Sequence, residues 1–278
     1  MSSCNFERVV TTGGGGMVGA YVDFGLRPSH HELDITNELQ VREYMEKHKP
    51  NAIIHLAAAA DMARSEREPE YAYDINVRGT YNVARAASDI GATMVYASSS
   101  RVFRGDKQAP YNEADVPQPE TQYGRTKHIG EILVRDMVPQ HIIARTAWVF
   151  GGGPTRDNKF YGAVLKQLLS NVPEVVALND VQGSPTYGKD YIQAIKELLS
   201  AGKTGTYHIV NSGVATRYDL AEVLVSQMHS DAKVRAVDRS YFPGGATLPV
   251  NEAVVSDHCM LRPWKEALAE YIKEEWSV

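Results

Sequence analysis

"TTGGGGMVGAYVDFGLRPSHHELDIT", residues 11–36, decides the fold of this chain. It overlaps the end of a short apolar run, residues 8–13, of the kind that predicts a strand buried on both faces. Gly13, Gly16 and Gly19 follow at G-x-x-G-x-x-G spacing. Glycines after a strand allow a tight turn and bring backbone N–H groups close to a phosphate, and a helix start favours the same anion. The stretch therefore predicts a dinucleotide-binding loop.

The second half of the stretch is too short for the usual continuation. A dinucleotide-binding fold continues with a helix and a second strand, whose end carries the group that reads the adenine ribose. These elements take about 25 residues with their connections, but only a short segment, broken by Pro28, separates Gly19 from Asp34. We expect either a helix cut to a turn or two or a vestigial second strand. Four polar residues of this segment are either ligands of a ribose 2′-phosphate or parts of a solvated loop: Arg27, Ser29, His30 and His31.

Strand-like and helix-like segments alternate along the chain. The predicted strands are residues 8–13, 51–59, 93–100 and 141–150, and the segments between them have the apolar spacing of helices. This alternation predicts an α/β fold, a Rossmann-type doubly wound parallel sheet with a shortened second strand region. After residue 150 the strand-like and helix-like segments are shorter, and the irregular connections between them are longer. We therefore expect a dinucleotide-binding domain over residues 1–157 and a smaller C-terminal substrate-binding lobe over residues 158–278, some of whose segments return to the main sheet.

Composition and charge narrow the function classes. The 278 residues are 43% hydrophobic and 23% charged, enough to bury a full core without disulfides. The net charge of −5, with scattered Lys and Arg, argues against nucleic-acid and membrane partners. Cys4 and Cys259 lack metal-ligand spacing, which predicts free thiols and no metal site. With no apolar run long enough to span a bilayer and no signal peptide, we expect a cytoplasmic protein, and the sequence leaves monomer and homodimer open.

The pentapeptide "YGRTK" places Tyr123 and Lys127 four residues apart in a helix-like segment. Residues at this spacing share one face of a helix, so the phenol and the ammonium point the same way. A phenol with a pKa of about 10 becomes a better proton donor when a nearby cation lowers its pKa. On its own, however, such a pair is common on exposed helix faces.

The glycine loop and four further segments occur in the order of a known superfamily. These segments are "HLAAAA" (55–60), "INVRGTYNVARAA" (75–87), "VYASSSRVF" (95–103) and "YGRTKHIGE" (123–131). Together they resemble the extended short-chain dehydrogenase/reductase superfamily. Other segments resemble its dTDP-4-dehydrorhamnose reductase branch: "ELDIT" (32–36), "ARTAWVFGGG" (144–153), "QGSPTYGKD" (182–190) and "LRPWKEAL" (261–268). The resemblance covers nearly the whole chain.

The resemblance implies roles for individual residues. Tyr123 is the expected general acid, Lys127 lowers its pKa and binds the nicotinamide ribose, and Ser99 donates a hydrogen bond to the reacting carbonyl. The implied cofactor is NADP or NAD, and besides Tyr123 and Lys127 the expected cofactor-binding residues are Gly13, Gly16, Met17, Val18, Gly19, Asp34, Ile35, Ala57, Ala58 and Ala59. The expected substrate-binding residues are Ser100, Arg101, Trp148, Lys159 and Pro185. For the three alanines tight packing is the competing interpretation, and for Asn76 a helix-bending role competes with a catalytic one.

The implied function is an NAD(P)H-dependent reductase of a 4-keto nucleotide sugar. The residues after Ser99 bear on this, because dehydratases of the superfamily have an acidic pair there, whereas this chain has Ser100 and Arg101. Reductases of the rhamnose branch usually have Thr-Asp-Tyr at positions 99–101, so both residues depart from that pattern. Two alternatives stay open: a nucleotide-sugar epimerase, and a non-catalytic subunit resembling the regulatory β subunit of methionine adenosyltransferase.

Overall fold

The structure, a computed structural model, describes residues 4–242 and 248–276. Its strands are β1 Val9–Thr12, β2 Ala52–His55, β3 Thr93–Ser99, β4 His141–Thr146, β5 Val149–Phe150, β6 Glu174–Leu178, β7 Gln182–Gly183, β8 Thr186–Tyr187, β9 Gly205–His208, β10 Asn211–Ser212, β11 Ala215–Thr216, β12 Lys233–Val237, β13 Asn251–Glu252 and β14 Leu261–Pro263. Its α-helices are α1 Glu38–His48, α2 Met62–Arg67, α3 Pro69–Tyr73, α4 Thr80–Asp89, α5 Gln122–Met137, α6 Gly153–Arg156, α7 Phe160–Leu169, α8 Gly188–Ser200, α9 Arg217–Gln227 and α10 Trp264–Glu275. A π-helical stretch, Asp74–Gly79, joins α3 to α4.

Five strands form the central sheet in the order β1-β2-β3-β4-β9, and every neighbouring pair is parallel. The first four lie within the four apolar runs that the sequence singled out as strands. Parallel neighbours need crossover connections, which the helices between the strands supply. The predicted α/β fold with a parallel sheet is confirmed.

Helices cover both faces of this sheet. Successive side chains of a strand point to opposite faces, so Ile53 and Ile54 of β2 enter different cores. Ile53 packs with residues of α1, α4 and α5 on one face. On the other face Ile54 packs with residues of α8, among them Tyr191 and Ile195. The sheet is therefore wound on both sides, as the sequence predicted.

The segment after the glycine loop has lost both elements that a dinucleotide fold normally places there. The helix is reduced to a single 3₁₀ turn, Gly19–Tyr21. The second strand is reduced to one bridge, in which Leu26 accepts from the Thr11 N–H at 2.8 Å and donates to the Val9 carbonyl at 2.8 Å. The sequence left open which of the two was lost, and the structure shortens both.

The C-terminal part of the chain anchors this short segment. The Tyr21 hydroxyl donates to Glu275 Oε1 at 2.5 Å and accepts from the Gly152 N–H at 2.6 Å. Tyr187 donates to the same carboxylate oxygen at 2.6 Å. A missing helix is thus replaced by side-chain hydrogen bonds to α10 and to the turn before α6.

A second core lies in the C-terminal part. Helices α7, α9 and α10 pack there against β6 and β12, which form a parallel pair. Other segments of the C-terminal half return to the main sheet, β9 as its last strand and α8 as the cover of one face. Because both halves share elements in this way, the division after residue 157 stays a prediction.

Cys4 and Cys259 are free thiols, as expected. In the described part of the chain, none of the helices is both long and apolar enough to cross a membrane. Residues 4–242 and 248–276 also contain no group of three or more His, Cys, Asp or Glu side chains arranged to hold a metal ion.

Candidate functional site

Two adjoining pockets lie at the carboxyl ends of the central strands. A cleft of about 280 Å³ is lined by the ends of β3 and β4, by α5, and by Tyr161 of α7 in the C-terminal part. A neighbouring pocket of about 300 Å³ lies beside the glycine loop and shares Leu56 and Ala58 with the cleft. Ligands of open parallel sheets bind at this edge, so the pockets mark the candidate site.

The glycine loop turns directly after β1. Gly13 has a φ of +73°, and a Cβ there would lie 2.5 Å from the Ala57 nitrogen. A Cβ on Gly19 would lie 2.5 Å from the Gly13 carbonyl oxygen, whereas one on Gly16 would come no closer than 3.3 Å to that oxygen. Of the three glycines of the motif, Gly13 and Gly19 are therefore the two at which a side chain would collide with the backbone. Gly13 and Gly16 line the second pocket, Met17 and Val18 line the cleft, and Gly19 lines neither.

Four residues at the end of the 11–36 stretch line the second pocket together with Ala57 and Ala58. They are His30, Asp34, Ile35 and Thr36. The Asp34 carboxylate accepts from the Thr36 N–H at 2.9 Å and from its hydroxyl at 2.8 Å. These hydrogen bonds oppose the effect of burial, and the pKa of Asp34 is lowered.

Ala59 lines neither pocket. Its N–H donates to Asn76 Oδ1 at 2.8 Å, and its carbonyl accepts from Asn76 Nδ2 at 3.2 Å. Asn76 also donates to the Thr126 hydroxyl at 3.0 Å. The amide therefore joins the turn after β2 to α5 from within the π-helical stretch, which favours the structural interpretation for both residues.

Ser99, Tyr123 and Lys127 meet in the cleft. Ser99 is the last residue of β3, and helix α5 begins at Gln122, capped by the Thr121 hydroxyl, which accepts from the Gly124 N–H at 3.1 Å. The cap sets the start of the helix, and the four-residue spacing then puts Tyr123 and Lys127 on one face. The Lys127 ammonium lies 4.1 Å from the centre of the Tyr96 ring.

The pKa values of this group differ from the sequence expectation. Burial raises the pKa of Tyr123, and the Ser99 hydroxyl and the Arg101 guanidinium oppose that rise. Burial therefore prevails, and the cation among the opposing effects is Arg101. That Lys127 also lowers this pKa stays a prediction. Burial lowers the pKa of Lys127 itself to about 7, against an opposing effect of Glu131. Lys127 thus titrates near neutral pH.

A buried ion pair lies below the cleft. Glu131 accepts two hydrogen bonds from the Arg145 guanidinium, at 2.8 Å and 2.7 Å, and one from the Ser98 hydroxyl at 2.6 Å. Burial would raise the pKa of Glu131, but these partners lower it to about 2. Glu131 is not among the residues predicted from the sequence, although its spacing from Lys127 matches that of Lys127 from Tyr123 and so places it on the same helix face.

Charged side chains gather at the end of the cleft under the C-terminal part. Arg101 forms an ion pair with Glu252, with 2.8 Å between Nη2 and Oε1. Trp148 Nε1 donates to the other oxygen of Glu252 at 3.1 Å, and the Arg217 guanidinium stacks 3.8 Å from the Trp148 ring centre. Ser100 and Lys159 also line the cleft. Of the five charged residues in its lining, four are basic, which favours an anionic ligand.

The positions of Pro185 and Glu252 are the ones that depart most from the sequence predictions. Pro185 is buried between β7 and β8 and does not line the cleft. Its neighbour Ser184 donates to the Val254 carbonyl at 2.7 Å, which keeps this turn against the strand that follows β13. Glu252 does line the cleft, but no motif or periodicity marks it in the sequence.

Comparisons with known proteins agree with this geometry. The family model of the RmlD substrate binding domain matches residues 7–276. The dTDP-4-dehydrorhamnose reductase of Mycolicibacterium smegmatis is 32% identical, over 96% of this chain and 85% of that protein. The spore coat polysaccharide biosynthesis protein SpsK of Bacillus subtilis is 31% identical, over 97% of this chain and 98% of that protein.

A solved structure of a related protein has a closely similar fold. The dTDP-4-dehydrorhamnose reductase of Bacillus anthracis, determined in complex with NADP, superimposes with a TM-score of 0.90 at 30% identity. The match covers 96% of this chain and 99% of that one.

Proposed function

This chain belongs to the RmlD substrate binding domain family, and from that premise we propose that it is an NAD(P)H-dependent reductase of a 4-keto nucleotide sugar. One observation carries the proposal: Ser99, Tyr123 and Lys127 line one basic cleft that adjoins the glycine-loop pocket. Relatives above 30% identity are named as dTDP-4-dehydrorhamnose reductases. The epimerase and the non-catalytic subunit are accordingly not favoured.

The glycine-loop pocket fits a dinucleotide. Side chains at Gly13 and Gly19 would collide with backbone atoms, so both positions require glycine. Without side chains there, the backbone N–H groups of the loop can approach a pyrophosphate. Around this loop we propose a cofactor site whose members line the two pockets: Gly13, Gly16, Met17, Val18, Asp34, Ile35, Ala57 and Ala58. When bound, the reduced nicotinamide supplies a hydride to the carbonyl carbon of the sugar.

The side chains of the cleft then handle the proton and the developing charge. We propose that the Tyr123 hydroxyl donates its proton to the carbonyl oxygen as that oxygen gains negative charge. Ser99 donates a second hydrogen bond to the same oxygen and stabilises the charge. Lys127, with a pKa of about 7, exchanges protons near neutral pH and is suited to return one to the tyrosine. The basic residues Lys159 and Arg217 face the diphosphate of the substrate.

The direct test is turnover of dTDP-4-dehydrorhamnose with NADPH, followed by the loss of NADPH absorbance. We expect oxidation of one NADPH per sugar and a product reduced at carbon 4. Isomerised sugar without net NADPH oxidation would instead indicate an epimerase. Failure to bind either NADPH or NADH would overturn the proposal and leave the non-catalytic subunit.

Arg27 points to the preferred cofactor. In a dinucleotide fold the residue at the end of the second strand reads the adenine ribose, and an arginine nearby accommodates a 2′-phosphate. Here Leu26 is the remnant of that strand and Arg27 follows it. The Arg27 side chain packs against Gly14 of the glycine loop: a Cβ added to Gly14 would lie 2.8 Å from the Arg27 Cβ. Arg27 is also exposed to solvent. Its Nη1 donates to the Gly19 carbonyl at 3.4 Å, and no carboxylate in the described residues pairs with its guanidinium, so the charge stays available for a phosphate.

We therefore predict that Arg27→Gln weakens NADPH binding by about 10- to 100-fold, the effect of losing a hydrogen bond to a charged group. NADH lacks the 2′-phosphate, so its affinity should not change. Nicotinamide fluorescence titrations of both cofactors measure this. Arg135→Gln, a substitution on the exposed side of α5, is the matched control. An equal loss for both cofactors would assign Arg27 to the loop structure rather than to the phosphate.

Two further proposals concern the cellular compartment and the part of the chain that binds the substrate. The free thiols Cys4 and Cys259 support a reducing compartment, and we propose the cytoplasm. We also propose that residues 158–278 chiefly form the substrate side of the cleft, to which Lys159, Tyr161, Arg217 and Glu252 contribute. A monomer and a homodimer are equally compatible with this site.

A further inference from the structure

The ion pair between Arg101 and Glu252 joins two distant parts of the chain inside the cleft. Arg101 lies in the 3₁₀ turn that follows β3, and Glu252 ends β13. The side chain of Arg101 is 10% exposed and that of Glu252 is 7% exposed. Burying two charges is costly, and a well-packed apolar pair of similar size is often no less stable. The pair therefore calls for an explanation besides stability.

Three contacts hold the pair in place. Trp148 donates to the Glu252 oxygen that Arg101 Nη2 does not contact. The β13 strand is paired with β7, in the register Glu252 to Gly183. At the other end, the backbone N–H of Arg101 donates to the Ser99 hydroxyl at 3.2 Å. The backbone of Arg101 is thus fixed relative to Ser99, whose hydroxyl we assign to the carbonyl oxygen, and Glu252 holds the guanidinium.

Most N–H groups of the Arg101 guanidinium donate to no side chain in the described part of the chain. A guanidinium carries five N–H groups, and within residues 4–242 and 248–276 its only side-chain partner is Glu252. The remaining guanidinium nitrogens are not among the buried polar atoms that lack a partner. They therefore keep some exposure, and since Arg101 lines the cleft, a substrate there can accept their hydrogen bonds.

Arg101 also lies beside the reacting position. It follows Ser99 by two residues in the same turn and lines the same cleft as Tyr123. Its charge acts on the Tyr123 phenol and opposes the rise in the pKa of that group. Because Ser99 is assigned to the carbonyl oxygen, we expect a donor two residues away to lie near the substituents of the adjoining sugar carbon. The reductase branch that the sequence resembles usually has tyrosine at this place, so the ion pair distinguishes this chain from that pattern.

We propose that Arg101 is a substrate-contacting residue that donates a hydrogen bond to the hydroxyl on carbon 3 of the 4-keto sugar, and that Glu252 and Trp148 are its positioning residues. This assignment rests on the proposed function. It makes the pair a specificity element, since a sugar without that hydroxyl leaves the Arg101 donors unpaired. Loss of a partner for a buried donor is penalised more strongly than loss of an apolar contact.

The test combines protein variants with two substrates. Arg101→Met removes the guanidinium, and the double variant Arg101→Met/Glu252→Gln also removes the carboxylate that would otherwise be left unpaired, which protects folding. The substrates are dTDP-4-dehydrorhamnose and its 3-deoxy analogue, each with NADPH. Arg104→Met is the matched control, because Arg104 lies nearby with its exposed side chain paired to Glu120 and outside the cleft.

We expect both Arg101 variants to lower kcat/KM for the 3-hydroxy sugar by about 10- to 100-fold, mainly through KM, with unchanged NADPH affinity. Arg101→Lys should recover part of the loss. The wild-type protein should discriminate against the 3-deoxy analogue by a similar factor, and the methionine variants should not. Arg104→Met should behave as wild type.

Two results would overturn the proposal in different ways. If the wild-type protein reduces the sugar and the double variant keeps its kcat/KM and its discrimination, Arg101 is only a structural tie and the proposed function stands. If the wild-type protein binds NADPH but reduces neither sugar, the proposed function fails, and this assignment with it.

Discussion

Replacement of Tyr123 by phenylalanine should lower kcat by about 10²- to 10⁴-fold, the contribution of a positioned general acid. The change deletes one hydroxyl and keeps the ring, so the fold and the NADPH affinity should be preserved. The reason for the large effect is that the Tyr123 hydroxyl is the group to which we assign the proton transfer, whereas Ser99 is assigned a hydrogen bond to the same oxygen without losing its proton. Steady-state NADPH oxidation with dTDP-4-dehydrorhamnose measures kcat, and nicotinamide fluorescence measures binding.

Tyr44→Phe provides the control for this experiment. Tyr44 lies on α1, packs against the core of the α1 face of the sheet, and is distant from the cleft. Its hydroxyl takes part in none of the contacts assigned to the reaction, so kcat should not change. A Tyr123→Phe protein with wild-type kcat would refute the role of Tyr123 as the proton donor.

Replacement of Glu131 by glutamine should be the most destabilising single change proposed for this chain. It would leave the Arg145 guanidinium, 3% exposed, without its anion. Removing one partner of a buried ion pair costs about 3–5 kcal/mol in the free energy of unfolding. Denaturant unfolding of the two proteins measures the loss.

Two further variants isolate the cause. Glu131→Gln/Arg145→Met removes both charges and should recover most of the loss, because a neutral buried pair has no uncompensated charge. Glu120→Gln breaks the exposed pair with Arg104 and should cost about 1 kcal/mol or less. If the double variant is no more stable than Glu131→Gln, the uncompensated guanidinium is not the source of the effect.

The same carboxylate predicts a pH dependence. Its pKa of about 2 in the folded protein lies below the ordinary value of 4.5. A lowered folded pKa stabilises the protein fully above pH 4.5, and this stabilisation is lost as the pH falls towards 2. The shift corresponds to about 3 kcal/mol, which the glutamine variant should lack. His55, buried with a pKa of about 3, adds a loss of the same sign below pH 6.5 that both proteins share.

The sequence alone was sufficient for features that depend on local periodicity. Apolar runs such as residues 51–59 and the helical spacing of Tyr123 and Lys127 follow from geometry within one element, so strands, helices and the shared face could all be predicted. The glycine spacing identified the loop after β1 for the same reason. Even the deficit between Gly19 and Asp34 could be counted, since a helix and a strand each need a minimum length.

The limits of sequence reasoning appear where a contact spans distant segments. The region between Gly19 and Asp34 had two possible outcomes, and the hydrogen bond from Tyr21 to Glu275 shows how the fold compensates for losing both elements. Ala59 belongs to a motif of small residues, yet its partner is Asn76 rather than the pocket. Whether a residue in a motif faces a ligand or a neighbouring helix depends on the packing around it.

The charges that line the cleft show most clearly what only the tertiary structure decides. Sequence spacing made Lys127 the cation expected to act on Tyr123, and the tertiary structure adds Arg101, whose charge also acts on this phenol and whose partner Glu252 comes from far along the chain. Electrostatic effects depend on distance and burial in three dimensions. Local periodicity in the sequence therefore determined the strands, the helices and the shared face of Tyr123 and Lys127, and only the tertiary structure decided which charges surround that face.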